Sequence, residues 1–427
     1  MTLINAEVDA LVRALDAGLG AVDQREARYS GQAPLRYAAD EVRGDLRTFG
    51  VNLCRLAVDA VAERMRVKRL TVASRGNDIS AAVSAVWNRS QMDQLLQPLI
   101  VDVLALGSAY LMVWSDQFGN PVITPESARN VAVLRHPVTG DVTAAIKRWQ
   151  VLESSGAVTA EHIVHYGPEH IVHWSRQGVG DWTADETIVN PLGVVPVIPI
   201  INTQRIGDTA GYSVIDDMAH LVDALSKILA DMLVASEDTA RPRRWASGVD
   251  LEERDDIGGF TADGGVDIPS APATAVSPFE SGNRMFTVES PDAKFGQLPG
   301  ADLKGYETAV QLVLQQIMAI SALPAHMVGV TTSNPSSADA IRAAEASLTA
   351  RAESRIRVIS LGLERALAVV GAIVTGAGVH EITSQISWAS PATKSTAQEA
   401  DAVTKLHALG IITTPEAREM IGMDGLL

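Results

Sequence analysis

The sequence predicts an α+β protein built from more than one structural region, on three observations. Its 427 residues exceed what one hydrophobic core ordinarily organises. Helical spacing of apolar residues governs the first part of the chain, then yields after about residue 107 to short β-rich runs separated by Gly, Pro and Asp. From residue 213 helical spacing returns, in long stretches that bracket a segment of different composition.

Residues 1–75 read as helices, broken at Ser30-Gly31-Gln32-Ala33-Pro34 and again near Gly76. The stretch 80–107 continues helical through Val83, Val86, Leu95, Leu96, Leu99, Ile100 and Val103. Cys54 falls in FGVNLCRLAVDAVAERM, where a small apolar side chain suits a buried face. With this single thiol there is no intrachain disulfide, which fits a reducing compartment. AYLMVWSD, VITPE, NVAVLRH, TAAIKRWQVL, AVTAEHIVHY and HIVHWS predict an antiparallel sheet region over 107–202. PLGVVPVIPIIN closes it, and its three prolines predict an extended, irregular segment.

Residues 213–240 read as one long helix, with Ile215, Met218, Val222, Leu225, Leu229 and Met232 at steps of 3, 4, 3, 4 and 3. That average near 3.5 is the spacing of helices packed alongside neighbours. Asp223 and Lys227 make a favourable pair four residues apart on its polar side. Residues 241–300, rich in Gly, Pro, Asp and Ser with β-prone RRWASGV and RMFTV, read as a small exposed module. A second helix over 301–322 repeats the same steps through Leu303, Tyr306, Val310, Val313, Ile317 and Ile320.

A loop, AHMVGVTTSNPSS, follows; Asn334-Pro335 bars helix there and Ser336 or Ser337 can cap what comes next. The longest helix, 337–374, carries Ile341, Ala344, Leu348, Ala352, Ile356, Ile359, Leu363, Leu367 and Val370 on one stripe. EITSQISWAS reads as a strand, and 395–409 and 415–422 as closing helices.

Bulk composition narrows the function. Hydrophobic residues at 47% exclude global disorder. No apolar run approaches the ~18 to 20 residues of a spanning helix, so a soluble protein without membrane contact is expected, and the acidic amphipathic start predicts no export signal. The net charge of −16 opposes tight sequence-independent nucleic-acid binding, and suits a surface that DNA slides past.

His162, His165, His170 and His173 in HIVHYGPEHIVHW could pass for a zinc site. Geometry weighs against it: β-branched IVH pieces flank Gly167-Pro168 as a hairpin, and strand residues three apart point to opposite faces. Asp216-Asp217, Glu252-Glu253 and Asp255-Asp256 read as solvated surface before they read as a cation site. The chain has no phosphate loop, no G-x-S-x-G elbow and no H-E-x-x-H, so no catalytic residue, metal or cofactor is assigned.

Several stretches, in this order, resemble the portal family of tailed bacteriophages, in particular its siphophage branch: ALGSAYLMVWSDQFGNP, GVVPVIPIIN, GYSVIDDMAHLVDALSKILADMLVASEDTARPRRWASG, FGQLPGADLKGYETAVQLVLQQIMAISALPAHMVG, NPSSADAIRAAEASLTARAESR and ADAVTKLHALGIITTPEARE. No piece is a catalytic signature; the order and spacing over roughly residues 30–420 carry the resemblance.

The resemblance implies a portal fold with a mixed wing over 1–212, stem helices at 213–240 and 301–322, and a small α/β clip at 241–300. A tunnel loop at 323–336, a long wing helix with its adjoining strand at 337–390, and a short helical crown at 391–427 complete it. It implies a non-enzymatic dodecameric ring at one capsid vertex of the virion, assembled in the host cytoplasm, through which double-stranded DNA is packaged and ejected. Implied partners are the large terminase subunit, head-completion or adaptor proteins, and major capsid and scaffolding proteins.

Site expectations follow from that frame. His326, Thr331, Thr332, Ser333 and Asn334 are placed on the tunnel loop, and Lys304, Thr308, Gln311 and Gln315 share a polar helix face that would line the channel. Leu225, Leu229, Val310, Val313 and Ile317 are expected to pack subunit against subunit in the stem. Arg241, Arg243 and Arg244, with acidic Glu252 and Glu253, are expected to dock clip partners. Two other readings compete: a metal-dependent hydrolase using the His162 to His173 hairpin, and an oligomeric helical adaptor unrelated to DNA.

Overall fold

The computed structural model describes residues 2–36, 50–154, 156–178, 180, 182–240, 244–247, 292, 294–297, 303–329, 338–393 and 396–421. The chain divides into two compact units, Met1–Lys227 with Val310–Leu427, and Ile228–Ala309.

In the first unit, α1 (Thr2–Tyr29) turns Val8, Leu11, Leu15 and Val22 inward at helical steps. Asn52 caps α2 (Leu53–Ala62) by accepting from the Arg55 amide at 3.0 Å. Cys54 is buried in α2, and burial pushes its thiol pKa up to about 11, leaving an inert core residue. The chain then departs from the expected helix. Val67–Ser74 is strand β1, hairpinned to β2 (Asn77–Asp78). β-branched Val67, Thr71 and Val72, and a turn at Arg75-Gly76 with both φ positive, favour the pleat over the helix. Helices α3 (Ser80–Arg89) and α4 (Met92–Leu106) follow as expected, separated at Gln91.

Eight strands come next: β3 (Ser108–Ser115), β4 (Pro121–Ser127), β5 (Val131–Arg135), β6 (Val142–Leu152), β7 (Val158–Tyr166), β8 (His170–Gln177), β9 (Thr183–Val189) and β10 (Val197–Ile201). They form two antiparallel sheets, β10-β3-β4 and the meander β5-β6-β7-β8-β9. The proline-rich closing segment is thus a regular strand, paired from Val197 with Met112 to Ile201 with Ser108. Its place at the sheet edge is where Pro199, lacking an N–H, is tolerated.

The larger sheet is covered on both faces. Val131, Ala145, Val164, Tyr166 and Ile171 meet Tyr110, Met112 and Val197 of the smaller sheet. Ala144, Ile146, Ile163, Val172 and Trp174 meet Val8, Leu11 and Leu15 of α1. Each large side chain so buried contributes about 1.5–3 kcal/mol.

Gly107 ends α4 with φ 99 and lies against Gly211, where a Cβ would stand 2.0 Å from the Gly107 carbonyl oxygen. Neither position has room for a side chain. Residues 213–218 do not join the next helix: the Ser213 hydroxyl donates to the Ala105 carbonyl and the Val214 amide to that of Leu104. Helix α5 therefore begins later than its apolar spacing suggests, running Ala219–Ala240. Asp223, expected on its polar side, is instead 7% exposed and held by Arg28 of α1.

The second unit holds the later part of α5, the antiparallel pair β11 (Arg244–Ser247) and β12 (Lys294–Gln297), and the start of α6 (Lys304–Ser321). RMFTV lies outside the described residues.

Back in the first unit come α7 (Ala325–Val328), α8 (Ala338–Thr375), β13 (Ile382–Trp388), α9 (Thr396–Ala408) and α10 (Thr414–Ile421). A one-turn helix thus stands where a loop is expected at 325–328. β13 pairs antiparallel with β1, giving the sheet β13-β1-β2, whose Val72 and Ile382 approach α8 at Gly371. By length and composition α8 could cross a membrane, contrary to the expectation from apolar runs, yet 56% of its apolar window is buried within the fold. Leu348, Ala352, Ile359, Leu363, Leu367 and Val370 are core residues there. Ala344, assigned to this stripe by spacing, is exposed, and Glu345 takes the inward place.

Candidate functional site

On α6 the spacing argument holds at the level of exposure: Lys304, Thr308, Gln311 and Gln315 are all exposed, and Val310 and Val313 are half-buried. Leu312, 58% exposed, interrupts the polar character of that side. The residues expected to join subunits divide into two groups. Leu225 and Ile317, at 1% and 0% exposure, are consumed by the core of their own subunit and offer nothing to a neighbour. Leu229, Val310 and Val313 remain partly open, with Leu233 and Val234 more so at 40% each.

Beyond α6 the chain is fastened at several points. The Ser321 hydroxyl donates to the Ile317 carbonyl at 2.6 Å, Ala322 takes φ 59, and Arg351 Nη2 donates to the Ile320 carbonyl at 2.7 Å. His326 on α7 reaches the Glu345 carboxylate of α8, Nε2 to Oε1 at 3.4 Å. The same carboxylate takes Arg64 Nη2 at 3.1 Å and the Thr393 hydroxyl. Burial by itself would raise the Glu345 pKa, but the Thr393 bond and the charges of Arg64 and His326 outweigh it and hold the carboxyl below its ordinary range. Glu345 thereby joins the end of α2, α7, α8 and the segment after β13. Thr331, Thr332, Ser333 and Asn334 lie outside the described residues, as do Arg241, Arg243, Glu252, Glu253, Asp255 and Asp256. Arg244 is on β11, opposite Gln297.

The four histidines lie on β7 and β8 around the Gly167 turn, in the expected hairpin. His162 pairs with Ser175 and His165 with Val172, so no histidine stands opposite another. Alternation places His162 and His173 on one face and His165 and His170 on the other. His162 stacks on Trp149 with centroids 5.2 Å apart, while His165 is buried and its pKa lowered by that burial. The strands divide the set that a zinc ion would need together. Of the acidic pairs, Asp216 binds Arg25, and Asp217 accepts from the Tyr212 hydroxyl.

Two buried polar groups escape a reading by apolar spacing. Arg355, 8% exposed, donates from Nη1 to Asn202 Oδ1 at 2.8 Å and lies over the Tyr212 ring. Arg355 and Glu345 both sit on the inward stripe of α8, and a charged residue at a core step was the available signal for each.

A family model described as phage portal protein, SPP1 Gp6-like, matches residues 17–423. The portal protein of Mycobacterium phage L5 is 30% identical over 247 residues, which are 57% of this chain and 48% of that protein. That of Mycobacterium phage D29 is 27% identical over 387 residues, 86% of this chain and 75% of that protein. The match thus spans about half of the L5 protein. Among solved structures, a chain from the neck of a native gene transfer agent particle, computed with C12 symmetry, superposes with TM-score 0.43 at 16% identity, over 87% of this chain and 88% of its own. A chain from the neck of the empty particle gives 0.46 at 16%, over 91% and 95%. Likeness this loose carries no argument about function.

Proposed function

We propose that this chain, which belongs to the SPP1 Gp6-like phage portal family, assembles as a ring of twelve at one vertex of the capsid and forms the channel for double-stranded DNA. The observation that carries the reading is the family match from residue 17 to residue 423, which runs through both compact units. In this reading 1–212 and 337–390 form the wing, α5 and α6 the stem, 241–300 the clip, 323–336 the tunnel loop and 391–427 the crown. The exposed Thr308, Gln311 and Gln315 support a channel wall mostly of hydroxyls and amides, with Lys304 as the one cation of that face.

The ring is a passive, non-enzymatic part of the virion. With no phosphate loop in the sequence, energy for packaging comes from a separate terminase ATPase, whose large subunit docks at the clip. Head-completion proteins replace it there after filling. Capsid and scaffolding proteins meet the wing during assembly in the host cytoplasm.

Negative-stain imaging of the purified protein tests the reading. Twelve-fold rings with a central hole are expected, and a compact monomer or an assembly without a hole overturns it.

A further inference from the structure

The five-stranded sheet ends on one side at β5, which pairs with β6 and, among the described residues, with no other strand. The Arg148 amide donates to the Asn130 carbonyl at 2.8 Å, so the hydrogen-bonded pairs of this antiparallel ladder are Asn130 with Arg148, Ala132 with Ile146 and Leu134 with Ala144. Val131 and Val133 therefore turn their N–H and C=O groups away from β6, and among the described residues no hydrogen bond reaches them. Past the register shift Arg135 does the same, because the next bonded pair is His136 with Asp141. Unpaired backbone groups are rare where water is kept out, and Val131 is only 2% exposed.

A groove of about 440 Å³ borders this edge, lined by all of Val131–Arg135, by Ala14, Gly18 and Ala21 of α1, and by Ser108 and Tyr110 of β3. Ala14, Gly18 and Ala21 share one helix face at steps of 4 and 3, are all exposed, and leave room: a Cβ added at Gly18 would meet nothing within 4 Å. The opposite edge of the sheet, β9, is blunted by Asp185, Glu186 and a register shift, which discourage pairing. Val131–Leu134 has no charge and no proline.

Arg135 stands at one end of the groove. It is half-buried and, among the described residues, makes no hydrogen bond or ion pair. Burial lowers its pKa, and the charge of Arg365 adds to the lowering. The other arginine of the groove, Arg25, is already held by Asp216 and the Leu106 carbonyl.

We propose that this groove accepts an extended peptide segment of a partner protein, added as a further strand beside β5 and carrying a carboxylate that pairs with Arg135. Strand addition at a sheet edge draws its affinity from main-chain hydrogen bonds and its specificity from alternate side chains. Here the free groups of Val131, Val133 and Arg135 supply the first, and the small residues of α1 leave space for the second. An acidic side chain provides the counter-charge that Arg135 lacks. At ~3.4 Å per residue the edge of β5 is about 17 Å long, so the segment is short.

The probe is a capped, dye-labelled peptide, Glu-Val-Thr-Val-Thr, titrated to millimolar concentration into the full chain and read by fluorescence anisotropy, beside the same peptide with Gln for Glu. The wild-type chain should prefer the Glu peptide about tenfold, and Arg135→Gln should remove that preference. Val133→Pro deletes an N–H that β6 does not use, so the variant should fold yet bind at least about tenfold more weakly. Gly18→Leu fills the groove from α1 and should act in the same direction. Circular dichroism confirms that the variants fold. No binding by the wild-type chain, equal affinity for the two peptides, or unchanged binding by folded Val133→Pro and Gly18→Leu each overturns the proposal. Binding by single subunits but not by assembled rings also overturns it, assigning the groove to a neighbouring copy of this chain.

Discussion

Arg28 and Asp223 form a two-pronged ion pair, Nη1 to Oδ1 at 2.8 Å and Nη2 to Oδ2 at 2.9 Å, between the last turn of α1 and the first turns of α5. Both side chains are nearly buried, at 12% and 8% exposure, and Arg28 also donates to the Ala219 carbonyl at 3.1 Å. Asp223 raises the Arg28 pKa first through this bond. The pair ties the first turns of α5 to the end of α1.

Removing one partner leaves the other buried without its counter-charge, which costs about 3–5 kcal/mol. Asp223→Ala and Arg28→Met should each lower the urea midpoint accordingly. Arg28→Met with Asp223→Leu together should recover most of the loss, because an apolar pair needs no compensation. Additive losses in the double variant would show that the two residues act independently.

This pair also shows what spacing can and cannot reveal. Steps of 3 and 4 locate α5, α6 and α8, since burial of one helix face is a property of the local sequence. The partner of Asp223 lies 195 residues away, and no local pattern names it. β1 is harder to read: VKRLTVAS follows a helix, its β-branched residues and the Arg75-Gly76 turn are only a weak local signal, and its main pairing is with β13, more than 300 residues later. Pro199 misleads in the other direction, because its tolerance depends on standing at a sheet edge. The exposed polar residues of α6 were legible from spacing alone, whereas the Glu345 junction needed Arg64, His326 and Thr393 to be brought from three other places.

The residues proposed to pack the stem separate by burial. Val310→Asp and Val313→Asp change half-buried sites and should yield folded subunits that no longer form rings. Leu225→Asp and Ile317→Asp bury an unpaired charge and should destabilise the subunit itself by more than about 3 kcal/mol. Sedimentation and thermal melts distinguish the two. Normal rings from Val310→Asp and Val313→Asp would remove these positions from the interface.

Glu345 gives the fold a measurable acid dependence. Its folded-state pKa is depressed, so its contribution is present above the unfolded value of about 4.3 and is lost as pH falls through the folded value. Glu345→Gln should be less stable than wild type at neutral pH. The gap between the two urea midpoints should then close on acidification below about pH 4. A gap independent of pH would mean that Glu345 acts by packing and not by charge.

The clip expectation concerns charge at residues 241–256. Changing Arg241, Arg243 and Arg244 together to Glu should weaken binding of the large terminase subunit at least about tenfold while rings persist, because complementary charge sets such docking. Unchanged affinity at low salt would make these arginines a solvated turn.

The proposed channel wall is tested by adding charge at Gln311 and Gln315, beyond the single Lys304 of that face. Gln311 and Gln315 are exposed on the same side of α6, one helical turn apart. If they face the bore, passing phosphates meet amides that bind and release with little net energy. A fixed ammonium would instead add an attraction to be broken at every step, since cation–phosphate contacts dominate nonspecific affinity and fall with salt. In a ring of twelve, Gln311→Lys with Gln315→Lys adds two cations per subunit to the wall. Packaging by these rings should slow several-fold at low salt and recover toward wild-type velocity as salt rises. Exposed Leu312, between the two glutamines in sequence, offers the control: Leu312→Gln changes polarity without charge and should leave velocity and its salt dependence unaltered. Wild-type velocity from the lysine variant at both salts, with ring assembly confirmed, would place this face of α6 away from the DNA.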